Sequence, residues 1–565
     1  MNKLVSAFGH PANQLLIHHS IAARHPRASA AASLLALGLM LGASAPAQAA
    51  SFVDVRVNSS SDTSANGDGF CTLREAIDLS NMGTPALGLN ANGCTVSASS
   101  SADANSVSFA SNVTGTLNLS QGQIQISAAV NLVGPGADRL TLRARQSGGV
   151  NVTGARIFYI GTDAASSISG LTLSGGNPDG GPGAAIYSLS DLSLGYSTVT
   201  GNSSDSNTFG DAPGGGGLAV LGRLSLSHST VSNNSSNAGG GVWVQGEAII
   251  SDSTISGNTT DANSCNATIT GMSSGCYAGG GGGLWVQGSL SLSNSTVSGN
   301  SDSGTSASDL FYGQGGGGVK VLGTATLNNS TVAQNSTLLG YGGGLNVVGT
   351  LVLNNSTVYG NSAGYANGRD GGALFVRGAA TLNNSTVSDN RSYGATAGSL
   401  YLSANGATPT SLSLNNSIIS DSSSIPACGG DGDFSISANH SLATDNSCGN
   451  STVTTPAALN LGPLADNDGP TQTIALLAGS AALHAGNPAT CLRAPINGLD
   501  QRGYYRPLLC SAGAWDAGTK TRVAGSGLGG LYSPPSDGGG SMSLWSVLAL
   551  ALLGLGRMLR RKGSA

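Results

Sequence analysis

The sequence predicts an all-β chain whose middle is wound as a right-handed parallel β-helix. Three observations predict it: a short phrase that recurs along the middle of the chain, a run of glycines ahead of most copies, and period-two alternation of apolar residues in between. The phrase reads Ser229-Thr230-Val231-Ser232-Asn233-Asn234, then Ser253-Thr254-Ile255-Ser256-Gly257-Asn258, then Ser295-Thr296-Val297-Ser298-Gly299-Asn300. Further copies centre on Val199, Val332, Val358, Val387 and, more loosely, Ile419. Counted from Leu173, successive centres lie 26, 32, 24, 42, 35, 26, 29 and 32 residues apart, so the phrase is fixed while the loops vary.

Residues 281–292 show the other two observations together, reading Gly-Gly-Gly-Leu-Trp-Val-Gln-Gly-Ser-Leu-Ser-Leu. Alternation with period two marks strands, and no stretch of the middle offers a 3.6-residue pattern. Each unit is expected to hold three short strands and three turns. So small a unit cannot bury its apolar side alone. Coils stacked about 4.8 Å apart place Leu284, Val286, Leu290, Leu292 and Val297 over their counterparts and close a continuous core. Leucine-rich repeats keep a tighter period without glycine runs, and calcium-binding nonapeptide repeats need an Asp after the Gly pair that residues 214–218 and 315–319 lack.

Composition narrows the function classes. Charged residues make up 9% of the 565, against about 25% in ordinary globular domains, and Gly numbers 87. The 39% hydrophobic content, regularly spaced, argues against disorder for the middle. A net charge of -5 with no extended basic patch in the mature region argues against nucleic acid as a partner.

In chain order, residues 1–49 have the layout of a secretory signal peptide: Lys3, Arg24 and Arg27, an apolar run over 30–41, and Ala47-Gln48-Ala49, with cleavage expected after Ala49 by signal peptidase once the export machinery has engaged the chain. Residues 50–110 are expected to cap the first coil, 111–455 to form the β-helix, 456–518 a C-terminal region, 519–540 a Gly/Ser/Pro linker and 541–565 a sorting helix. The eight cysteines fall into four near neighbours: Cys71 with Cys94, Cys265 with Cys276, Cys428 with Cys448, and Cys491 with Cys510. An exported chain with an even count oxidises its cysteines, though eight allow about 105 connectivities and the spacing leaves the pairing open. No C-x-x-C or nearby His cluster accompanies them, so neither metal nor cofactor is expected.

Stacking turns sequence positions into columns. One holds Asn294, Asn329, Asn355, Asn384 and Asn416; another holds Asn202, Asn234, Asn258, Asn300, Asn335, Asn361 and Asn390. Asn tolerates left-handed turns and its amides hydrogen-bond from rung to rung, so both columns are expected to hold corners rather than ligands. His228 and Asp252 interrupt the first column on consecutive coils; they are read as Asn substitutes, with acid–base chemistry as the sharper alternative.

A third column holds Tyr187, Ala219, Trp243, Trp285, Lys320, Asn346, Phe375 and Tyr401, expected to face outward because Leu284 and Val286 face inward. Beside it run Leu221, Gln245, Gln287, Leu322, Val348 and Arg377. From these, Tyr187, Trp243, Trp285, Phe375, Tyr401, Gln245, Gln287 and Arg377 form the candidate ligand-binding set, suited to a polysaccharide or a flat surface protein. A long loop folded over Trp243 and Trp285 would hide them instead, and the sequence does not choose between the two.

Residues Cys71-Thr72-Leu73-Arg74-Glu75-Ala76-Ile77 resemble the CSLREA motif of exported parallel β-helix proteins, with Thr72 for the usual Ser; the resemblance implies a cap on the first coil. Arg74 and Glu75 are read as a salt-bridged helical cap rather than as catalytic groups. Asp468-Gly469-Pro470-Thr471-Gln472-Thr473, Asp500-Gln501-Arg502-Gly503 and Gly513-Ala514-Trp515-Asp516 resemble, in order, the motifs of the choice-of-anchor Q domain. Gly538-Gly539-Gly540-Ser541, an apolar run over 542–556 and the basic end Arg557, Arg560, Arg561 and Lys562 resemble a GlyGly-CTERM tail, which implies a transient inner-membrane anchor cut near Gly538, Gly539 and Gly540 by a rhomboid-like sorting protease.

The expected function is binding, as adhesion or glycan and matrix recognition at the cell surface, the outer membrane or outside the cell, without enzyme activity. The alternative is a polysaccharide lyase or glycoside hydrolase of the pectin-lyase-like fold, recommended by fold analogy alone. Asp252, Asp302, Asp309, Asp370 and Asp389 are scattered among coils, and Arg369, Arg377, Asp370 and Asp389 come closest to a cluster.

Overall fold

The computed structural model describes residues 52–518 except 64–66, 84–86, 90–92, 100–102, 145–153, 162–163, 179–180, 205–213, 261–279, 305–314, 365–369, 405–409 and 422–423. The signal peptide with Ala49, the pair Cys265 and Cys276, the linker, Gly538, Gly539, Gly540 and the sorting tail lie outside the described residues. Among the described residues no helix is long and apolar enough to cross a membrane.

The chain is all-β, built of long parallel sheets stacked as in a β-helix. One coil shows the plan: Leu284–Val286 belongs to sheet 1, Leu290–Ser293 to sheet 2, Thr296–Ser298 to sheet 3 and Ser301–Asp302 to sheet 4. These sheets hold 11, 15, 13 and 7 strands respectively. A coil thus has a fourth strand beyond the three expected. It is only two residues long and mostly Ser and Thr, so it carries no apolar alternation to reveal it.

Register follows the repeated phrase. Leu173 pairs with Val199, and the pairing continues through Val231, Ile255, Val297, Val332, Val358, Val387 and Ile419. These side chains, with Leu284, Val286, Leu290 and Leu292, are buried in one continuous core. A one-residue slip would turn each Leu and Val outward, which fixes the register.

The two Asn columns hold corners as expected. Tyr196, His228, Asp252, Asn294, Asn329, Asn355, Asn384 and Asn416 share a positive φ of 46° to 50° at the corner between sheets 2 and 3. The second column is an internal ladder: Asn258 Nδ2 donates to Asn300 Oδ1 at 2.9 Å and to the Val231 carbonyl at 3.0 Å, and Asn202, Asn234, Asn300, Asn335 and Asn361 repeat the pattern. The glycine runs exist because the returning chain lies against this ladder; a Cβ on Gly283 would sit 2.9 Å from the Asn300 amide and 2.8 Å from the Gly318 carbonyl. A serine ladder runs beside it, each backbone N–H donating to the next coil's hydroxyl, as from Ser229 to Ser253 and from Ser253 to Ser295 at 3.1 Å.

The first coil is capped. Helix α1 (Leu73–Asn81) starts in a capping box between Thr72 and Glu75 and buries Leu73, Ala76 and Ile77 in the core. Arg74 pairs with Asp62 at 3.0 Å and donates to the carbonyls of Gly122 and Gln123 beside the first strand of sheet 1, Ile124–Ile126. Asn81 completes the edge, donating to the Gln125 carbonyl and accepting from Ser127 N–H, so that edge is not left as a template for another chain. Disulfides join Cys71 to Cys94, Cys428 to Cys448 and Cys491 to Cys510.

After its last coil the chain folds back on itself. Residues 456–516 pack along the outer side of sheet 3, where Thr331 donates to the Gln472 carbonyl, Thr357 to Gln501 Oε1, and Ala514 N–H to Thr386 Oγ1. The phrases 468–473, 500–503 and 513–516 of this segment converge on one buried polar knot. Arg502 pairs with Asp500 at 2.6 Å, Arg506 with Asp516 at 3.2 Å, and Gln501 Nε2 donates to Thr331 and Thr471 hydroxyls.

Candidate functional site

The outer side of sheet 1 brings the third column together. Tyr187, Ala219, Trp243, Trp285, Lys320, Asn346, Phe375 and Tyr401 are successive partners in the parallel ladder. The column begins one coil earlier than the sequence suggested, since Tyr159 pairs with Tyr187 and packs edge-on to it at 5.7 Å. Tyr159 lies before the first recognisable copy of the phrase, and only its place between Phe158 and Ile160 signals it.

Of the two arrangements left open by the sequence, the rings take the covered one. Trp243 and Trp285 are each 4% exposed, Phe375 5% and Tyr401 8%. Two clusters replace the strip: Trp243 and Trp285 with Ala219, Ala238, Tyr187 and Leu221, and Phe375 and Tyr401 with Ala397 and Tyr341. A ring left bare on a strand would hold about 150–250 Å² of apolar surface in water, and among the described residues Ala238 packs on the first cluster. Tyr341 is the cover over the second cluster, its ring 4.7 Å from Phe375 and 5.6 Å from Tyr401. It stands outside the strand pattern, between two glycines, so alternation could not find it.

The neighbouring rank stays accessible. Gln245 is exposed, and Leu221, Gln287, Leu322, Val348 and Arg377 are half-buried, as is Tyr187 at the upper end. Arg156 lies over the Tyr187 ring at 5.3 Å, and burial pushes the Tyr187 hydroxyl above its ordinary value. Burial likewise raises the Tyr401 hydroxyl, with Asp431 adding to it.

Polar groups interrupt the rings at the middle of the column. Lys320, 3% exposed, holds its ammonium 4.8 Å over the Trp285 ring. Asn346, 0% exposed, has neither Nδ2 nor Oδ1 hydrogen-bonded, and Trp285 Nε1 lacks a partner as well. In the coil of Trp285, burial in sheet 4 pushes the Asp302 carboxyl above the ordinary carboxylate value, against hydrogen bonds from Thr260 and Thr337 and the charge of Lys320.

The other candidates have structural partners. His228 Nε2 lies 4.0 Å from Asp252 at the sheet 2–3 corner, and its ring stacks on Tyr196 at 4.7 Å. Asp370 accepts from the N–H groups of Thr396 and Ala397, and Asp389 is hydrogen-bonded by Tyr359, burial raising its carboxyl. Arg369 and Asp309 lie outside the described residues. Among the described residues no three His, Cys, Asp or Glu side chains converge to hold a metal ion.

Comparison with protein-family models, with curated proteins and with solved structures finds no significant match.

Proposed function

We propose that this chain is an exported binding protein of the cell surface or its surroundings, a right-handed β-helix of pectin-lyase-like winding that recognises glycan or matrix along the outer side of sheet 1. The cap built from the CSLREA-like residues and the clamp built from the choice-of-anchor-Q-like phrases support a protein made to stand outside the cell. In both, the charged residues are spent on holding the fold. The GlyGly-CTERM-like tail would deliver it there.

The observation that carries this reading is the in-register column of rings with an accessible amide rank beside it. Gln245 and Gln287 offer donors and acceptors to the hydroxyls of a sugar chain, and the half-buried Tyr187 offers an apolar face beside them, the rings of Trp243, Trp285, Phe375 and Tyr401 being covered. Spacing of about 4.8 Å per coil makes the arrangement repeat along the axis, which suits a linear polymer.

A glycan array probed with the purified chain tests it, with Gln245→Ala and Gln287→Ala beside Trp243→Ala and Trp285→Ala. The Gln variants alter only the accessible rank and keep the covered packing intact. Binding that weakens at least severalfold in the Gln variants is the expected result. No binding to any glycan, or binding unchanged in all four variants, overturns the reading.

A further inference from the structure

Among the described residues, the centre of the sheet 1 column differs from the amide ladder inside the coils. Seven buried asparagines of the internal ladder, from Asn202 to Asn390, have their side-chain amides hydrogen-bonded to the coils around them. Asn346 is as deeply buried, yet both of its polar atoms are unmatched, and so is Trp285 Nε1 two coils away. Each such atom, left dry, forgoes the hydrogen bond it would make with water and so weakens the fold. A fold that satisfies its other buried asparagines so regularly keeps this deficit at the one place where an amide stands in a row of rings.

We propose that this point reads an acetamido group, so that the ligand of the sheet 1 face is a neutral polymer of N-acetylated amino sugars; the proposal rests on the glycan-binding reading above. An acetamido group presents one N–H and one carbonyl, which match Asn346 Oδ1 and Nδ2 as a reciprocal pair. Its methyl group meets the face of Phe375, one coil below Asn346, whose other side is stacked on Tyr401. Trp285 Nε1 donates to a ring hydroxyl of the next sugar, at a distance of about two coil spacings, roughly 10 Å from Asn346. Lys320 stands between them with its ammonium already engaged over the Trp285 ring, so the pocket calls for no ionic group on the ligand. Tyr341, half-exposed over Phe375 and Tyr401, is the described side chain that has to turn aside for entry.

The test titrates the full chain calorimetrically with three hexasaccharides: β-1,4-linked N-acetylglucosamine, the same backbone without acetyl groups, and β-1,4-linked glucose. At least tenfold tighter binding of the acetylated hexamer is expected. Asn346→Leu is expected to erase that preference while melting no lower than the parent, because it removes unmatched polar atoms from a dry site. Tyr341→Ala is expected to speed association with the acetylated hexamer. Equal binding of all three sugars overturns acetamido reading while leaving glycan binding intact, and no binding of any sugar here or on the array removes both. A preference that survives Asn346→Leu, or a large fall in melting temperature on that substitution, shows that the amide serves the fold and overturns the proposal.

Discussion

Sheet 3 presents the same residue to its surroundings in two ways. In the coils that carry Thr198, Thr230, Thr254 and Thr296 the outward threonine is half-exposed, with Tyr196, His228, Asp252 and Asn294 at the adjoining corner. In the coils that carry Thr331, Thr357 and Thr386 it is sealed under residues 456–516, and Asn355, Asn384 and Asn416 at the corner are sealed with it. Nothing inside the coil changes across that boundary: the Val column, the serine ladder and the Asn ladder run straight through. The phrase therefore specifies the coil, and the outward hydroxyl is a spare hydrogen-bonding group that a later part of the chain uses where it reaches.

The largest expected effect comes from breaking the clamp. Arg506 is buried, pairs with Asp516, and donates to Asn355 Oδ1 and to the Gly513 and Ala514 carbonyls. Arg506→Ala leaves a buried carboxylate unpaired and should cost about 3–5 kcal/mol. Hydrogen exchange should rise in residues 456–516 and at the Thr357 and Thr386 coils, while the Thr230 and Thr254 coils stay protected. A uniform rise along the whole helix would mean that the two halves are not separable.

Corner and ladder substitutions sharpen the contrast at smaller scale. Asn294 and Asn416 adopt the same left-handed geometry, φ 49° and 50°, so an Ala at either meets the same backbone strain of roughly 1–2 kcal/mol. Asn416 also accepts from Asn487 N–H at 2.7 Å and donates to the Asn487 carbonyl, and Asn416→Ala should cost about 1–3 kcal/mol more than Asn294→Ala. Asn258→Ala and Asn361→Ala, in the internal ladder of the open and the covered half, should instead cost the same. Denaturant midpoints of the four variants decide it, and equal costs at the two corners would undo the distinction.

Thr357→Val removes one hydrogen bond to Gln501 and should cost about 1 kcal/mol, while Thr254→Val in the open half should change the melting temperature hardly at all. Valine is nearly the same shape as threonine, so the pair isolates the hydroxyl. A matching loss at Thr254 would show that the outward rank is stabilised by something other than the clamp.

This contrast also marks how far the residues alone could be read. The coil was legible because its information is local: Val231, Ile255 and Val297 repeat with their corners, and His228 and Asp252 take the left-handed turn that their place in the Asn column implied. The column from Tyr187 to Tyr401 was legible in register for the same reason. Its burial was not, because Tyr341 and Ala238 cover it from turns whose path no alternation fixes. The clamp was legible as phrases but not as a contact. Gln501 meets Thr331 across 170 residues, and a hydroxyl that will be covered looks identical in sequence to one that will not. The fourth strand escaped because two residues such as Ser235–Ser236 cannot show a period.

The last prediction concerns the coil at which the open half ends. Asp302 sits in sheet 4 there, wholly buried, facing Thr260 above, Thr337 below, the Gly304 N–H and the charge of Lys320. Desolvation outweighs these and raises its folded pKa above the 3.8 of a free aspartate. The sign follows from proton linkage: the folded state holds this proton more tightly than the unfolded one, so the group's stabilisation is full below the unfolded value and is lost as pH rises through the raised folded value. Asp302→Asn keeps an oxygen for the Thr260 hydroxyl and has no charge to bury. It should melt higher than the parent at neutral pH, with the difference shrinking and then vanishing as the pH is taken below 4. Melting curves of both proteins across that range measure it. A variant that melts lower at neutral pH would mean that Lys320 holds Asp302 as a carboxylate, and that the boundary coil is fastened by an ion pair between sheets 1 and 4 rather than by its hydroxyls.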